Sequence, residues 1–176
     1  MSTHAGEVAA LRALYQEAHT AWLMGAMQDV TEEMAHWQPP GRVVPIAGHF
    51  AHALISEDVL LAMFVSGRKP LITDSFSGRA IVSAPMPLGV WDEWARTVHV
   101  DLDGAREYAQ AIFDQTDQIL ANLPEGDLER MLDMSSVGMG TMSVNDLLRT
   151  LAIHIGPHTG EISAIKGMQN AKGYAF

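Results

Sequence analysis

The chain has no cysteine. Disulfides, thiolate zinc sites and a cysteine nucleophile are therefore excluded, and any metal ion must be held by histidine, carboxylate or water. Positive charge is scarce: 11 Lys and Arg against 21 Asp and Glu give a formal net charge of -10. A surface that acidic repels nucleic-acid phosphates and anionic lipid, so neither nucleic acid nor membrane is expected as a partner. No apolar run reaches the ~20 residues needed to span a membrane. The opening MSTHAGEVAALRALYQ lacks the basic stretch and apolar block of a secretion signal, so a cytoplasmic protein is the expectation. No glycine-rich phosphate loop follows a strand pattern, and no serine sits in a nucleophile-elbow setting.

What is present is a chain of 176 residues, 48% hydrophobic, enough for one packed domain over 1–176. Val8, Leu11, Leu14, Tyr15, Ala18, Trp22 and Gly25 recur at three- and four-residue steps, predicting a helix from about Gly6 to Trp37. Thr31 can restart it after a break, and Pro39-Pro40-Gly41 ends it. A second helix is expected from Pro45 to about Ser66, with Gly67 as its C-terminal cap. It is apolar nearly all round, which favours burial by several neighbours and makes a homodimer plausible. Residues 68–87 lack periodicity and read as a lid, an interface arm or a plain surface excursion. A short helix follows around Leu88–Arg96. The third long helix carries the stripe Ala105, Tyr108, Ala109, Ile112, Thr116, Ile119, Leu120 and Leu123, with Asp101 or Asp103 as cap. Residues 125–141 have turn composition. Ser143 caps the fourth helix, whose stripe runs Val144, Leu147, Leu148, Leu151, His154, Ile155, His158, Ile162 and Ile165. Four such helices and no strand run give an all-α bundle.

The chemistry sits on these stripes. His154 and His158 are offset by only about 40° around their helix, and Glu161 falls on the same face. A buried imidazole needs partners for both nitrogens or costs roughly 1–3 kcal/mol. One histidine on such a stripe reads as a core residue bonded to a carbonyl. A pair here and a second pair, His49 and His52, on another helix read as metal ligands. A three-histidine site needs only one of His49 and His52, and spacing does not choose between them. Pro157, between the fourth-helix ligands, predicts a kink that either tunes or spoils their splay. The HxxxH spacing lacks the internal glutamate of a zincin protease. Glu57-Asp58 either assists the site or forms a solvated face. His4, His19, His36 and His99 read as solvated. The 11 methionines read as core filler, and Trp22, Trp37, Trp91 and Trp94 as packing anchors.

PIAGHFAHALISED in the second helix and IHIGPHTGEISAIKG in the last resemble the paired metal-ligand helices of the DinB/YfiT-like superfamily. HWQPPGRVVPIAGHFAHALISEDVLL and GEISAIKGMQNAKGYAF resemble a bacterial subgroup of it, so the likeness runs from about Trp37 to Phe176. The resemblance implies an up-down-down-up four-helix bundle, usually dimeric, with a divalent metal held by His52, His154 and His158. His49 matches a position of variable identity and stays auxiliary. It also implies thiol-dependent chemistry, since the superfamily includes thiol S-transferases, thiol-dependent isomerases and iron-dependent sulfoxide synthases. Histidine-only ligation suits Zn, Ni or Fe(II). A metal-dependent enzyme acting on a small molecule with a low-molecular-weight thiol follows, Glu57 or Glu161 orienting a ligand or moving a proton. The competing expectation is a non-catalytic binding or dimerisation module with structural or vestigial histidines.

Overall fold

The computed structural model describes residues 3–87 and 89–174. Met1, Ser2, the expected helix start Leu88, and the last two residues of the C-terminal motif, Ala175 and Phe176, lie outside them. Among the described residues the fold is mostly helical.

Helix α1, Thr3–Glu17, runs directly into wider π-helical turns over Ala18–Met24. A turn with Asp29 at φ 61° separates these from α2, Glu32–His36, which Thr31 caps by accepting a bond from Met34 N at 3.2 Å. Helix α3, Ile46–Leu60, starts after Pro45, widens into π-helical turns over Leu61–Ser66 and stops at Gly67, whose φ of 64° suits glycine. Next come α4, Asp92–Thr97, and α5, Leu102–Ala121. Helix α6, Val144–Met168, is capped by Ser143 Oγ, which accepts from Asp146 N at 3.0 Å.

Three details correct the sequence expectations. Residues 125–141 are not wholly irregular: β1, Met131–Asp133, and β2, Thr141–Ser143, form a short antiparallel hairpin, Leu132 opposite Met142. Three residues per strand are too few for a periodicity signal. The cap of α5 is not an Asp101 side chain; Glu32 Oε1 accepts from Leu102 N at 2.9 Å. A cap supplied from 70 residues away is invisible to local patterns. Finally, α6 continues through Pro157 without a break. The carbonyl that proline leaves without its helical donor belongs to Ile153, an exposed residue.

Helices α3 and α6 lie against each other, with α1 and its π turns on α6 and α5 on both α1 and α3. Every residue of α3 from Ile46 to Asp58 is buried. The apolar circumference that suggested a dimer is therefore covered within the chain, and that argument for a partner falls. Contrary to the expectation that no apolar run is long enough, the stretch Ile46–Ser66 is long and apolar enough to span a membrane by length and composition, yet 72% of its most apolar window is buried by the fold.

Asp58 explains the long loop. Fully buried, it accepts from Leu71 N (2.8 Å), Ile72 N (2.9 Å) and Tyr108 Oη (2.7 Å). Phe76 and Ile81 are buried beyond it, and Val82 makes a bridge to Val100. The loop is pinned to the core, and its pinning brings Met86 to the histidines.

Gly48 sets how closely α4 packs on α3. A Cβ there would stand 2.3 Å from the Ala95 carbonyl oxygen and 2.8 Å from its Cβ. Gly48→Ala must push the helices apart, at a cost of about 1–3 kcal/mol. The expected result is a lower Tm with altered tryptophan fluorescence, because Trp91 precedes α4; an unchanged Tm would contradict this packing.

Candidate metal centre

The α3–α6 contact brings four imidazoles together. His52 from α3 meets His154 and His158 from α6, and one donor atom of each lies within 4.8 Å of the others. His154 Nε2 and His158 Nε2 are 3.0 Å apart, so the proline between them has not splayed the pair. His52 is held from two sides. Its ring stacks on Trp91 at 3.8 Å between centroids, and its Nδ1 lies 3.4 Å from the Met86 thioether. Trp91 is thus more than a packing anchor. A proton on that Nδ1 leaves Nε2 with a lone pair for the cluster.

Burial decides the charge of these rings. His52 and His158 are buried and His154 half-buried. Desolvation, then the neighbouring imidazoles, pushes His52 down to about 3 and His158 to about 2. Desolvation also lowers His154, opposed by the Glu57 charge. All three rings are neutral at pH 7 and present lone pairs, the form in which histidine binds a metal. A tetrahedral ion with bonds of ~2.0–2.1 Å keeps its donors roughly 3.3 Å apart, so small side-chain movements bring three nitrogens from this spacing onto one ion. The donor set fits a divalent cation.

His49, which spacing could not separate from His52, is buried behind the cluster. Its Nδ1 is 3.0 Å from His158 Nδ1 and 3.0 Å from Glu161 Oε2. Desolvation pushes this ring to about 4. Glu161 is half-exposed, and partial burial raises its pKa.

Glu57 is not part of a solvated face. It is buried, accepts from Thr116 Oγ1 at 2.6 Å, and has both oxygens 3.0 Å from His19 Nε2. His19 was expected in solvent; it is 4% exposed and stacks on Phe113 at 3.8 Å. The missed signal is its place four residues after Tyr15, on the same buried side of the helix. A cleft of about 410 Å³ opens over His19 between α1 and α5. The cavity that reaches His52 is smaller, about 140 Å³, and its walls include Ser56, Met86, Trp91, Val137 and Met139.

A second imidazole–carboxylate group, Glu32, His36 and His99, lies near the surface. Both His36 nitrogens are already used: Nδ1 is 2.9 Å from the Glu32 carbonyl oxygen and Nε2 accepts from Val100 N at 3.1 Å. This group joins α2 to the start of α5 rather than forming a metal site. His4 is likewise bonded, to the Leu123 carbonyl at 3.1 Å.

These features define a mostly helical protein with a buried histidine cluster able to hold a metal ion. The chain belongs to the DinB superfamily, whose sequence pattern matches residues 15–162. Its fold is similar to the crystal structure of a conserved protein from Enterococcus faecalis, with a TM-score of 0.72 over 89% of this chain and 93% of that one. At 16% identity this likeness concerns the fold alone. No curated protein matches the sequence.

Proposed function

We propose that the protein is a metal-dependent enzyme of the DinB type, in which His52, His154 and His158 hold one divalent ion within an up-down-down-up four-helix bundle. The observation that carries this is the convergence of three neutral imidazoles from two helices on one point. Bound there, a divalent ion lowers the pKa of a water or thiol and supplies a nucleophile near neutral pH. The protein's own part is positioning. Trp91 and Met86 fix the His52 ring, and His49 backs His158. Glu57, set against His154 electrostatically and tied to His19 and Thr116, offsets charge that develops at the cluster. Glu161, reaching solvent, is the group that can carry a proton in or out.

The cavity beside His52 supports a thiol as co-substrate. Met86, Met139, Trp91 and Val137 give it soft, apolar walls, and no Lys or Arg among the described residues lines it. Such walls suit a small uncharged group or a sulfur. The test uses protein loaded with Co(II) and titrated with low-molecular-weight thiols. A sulfur-to-cobalt charge-transfer band is expected. Its absence with every thiol, while cobalt stays bound, would leave the metal site standing and remove S-transfer.

A further inference from the structure

The His158 ring has two faces, and the three-histidine cluster uses one. On the other side its Nδ1 lies 3.0 Å from His49 Nδ1 and 3.7 Å from Glu161 Oε2, while His49 Nδ1 lies 3.0 Å from that same oxygen. The three atoms close a triangle whose edges bracket the roughly 3.3 Å between donors on a tetrahedral first-row ion. Their polarity points the same way. The His49 ring also hydrogen-bonds the backbone of Val44, and a neutral imidazole has one N–H. In the tautomer that places this proton on Nε2, His49 Nδ1 turns a lone pair towards a carboxylate oxygen. Acceptor facing acceptor at this distance is repulsive unless a proton or a cation lies between.

We propose that His49 Nδ1, His158 Nδ1 and Glu161 Oε2 form a second divalent-cation site, with the His158 ring standing between it and the three-histidine site. The inference rests on the proposed function for the first ion and shares one ring with it. Two imidazoles and a carboxylate suit first-row ions such as Zn, Fe(II) or Co(II). His158 and Glu161, three residues apart, project from one face of α6, as paired ligands do on bundle helices. Glu161 is half-exposed while the two histidines are buried, which gives an ion an entry from solvent. When both sites fill, each His158 nitrogen binds an ion and the ring's N–H proton is released to solvent. In the simpler arrangement, His49 and Glu161 only orient His158 for a single ion.

Counting ions separates the two. Wild type, Glu161→Gln, His154→Ala and the double variant are loaded with Co(II), passed through gel filtration and analysed for cobalt, with circular dichroism to confirm folding. The double variant sets the background. Two ions above background are expected in wild type and one in each single variant. One ion in wild type that survives Glu161→Gln and is lost with His154→Ala overturns the second site and leaves the first. One ion lost with either change also overturns it, as a single shared site. One ion lost only with Glu161→Gln supports the second site and removes the three-histidine reading. Background values throughout remove both.

Discussion

His52→Ala is expected to weaken binding at the three-histidine site by more than a hundredfold, although it touches neither ligand of α6. The argument is about where the site is assembled. His154 and His158 share one helix face and stay 3.0 Å apart whatever α3 does. The third donor arrives only because α3 packs on α6. Loss of an outer partner that merely orients a ligand typically costs 10- to 100-fold in metal affinity, so loss of a ligand itself must exceed that. His52 takes no part in the triangle behind His158, so the change reports on one site alone. Competition titration with a chelating indicator measures it, and equal affinities for the two proteins would mean that the α3 and α6 imidazoles do not share an ion. Phe50 and Leu54 on either side are fully buried and remain in place, so the scaffold should persist.

Much of this was legible in the chain because the signals were local. Pro45, Gly67, Thr31 and Ser143 act within one turn of their own positions, and each bounds its helix as residue chemistry predicts. The α5 stripe from Ala105 to Leu120 is buried residue for residue. The His154–His158 pair was visible for the same reason: four residues is one turn. What stayed hidden depends on distant parts of the chain. Glu57 read as either an assistant to the site or half of a solvated acidic pair, because its partners His19 and Thr116 lie 38 and 59 residues away. The choice between His49 and His52 needed the register of α3 on α6, which brings His52 to His154 and His158 and leaves His49 behind His158. Pro157 read as a kink that either tunes or spoils the pair, and only the folded helix shows the two imidazoles 3.0 Å apart across it.

The metal-free protein should be unusually sensitive to mild acid. Three buried rings, His49, His52 and His158, have pKa values held near 4, 3 and 2 by desolvation, while in the unfolded chain each is expected at about 6.5. Above pH 6.5 neither state binds these protons, and the rings do not make stability depend on pH. Below it the unfolded chain takes up protons the folded core refuses, so stability falls with pH. Each ring contributes about 1.4 kcal/mol per pH unit until its folded pKa is reached, so the three together set an upper slope of about 4 kcal/mol per unit. Against a typical total of 5–15 kcal/mol, that unfolds a chelated domain by roughly pH 4–5. A bound cation opposes the loss, because it binds the folded neutral rings and must be displaced by protons. Thermal melts of chelated and metal-loaded protein between pH 7.5 and 5 should therefore diverge as the pH falls, the chelated protein dropping first. Parallel curves would mean that the rings take up protons without unfolding the core, and that the cluster is open to water.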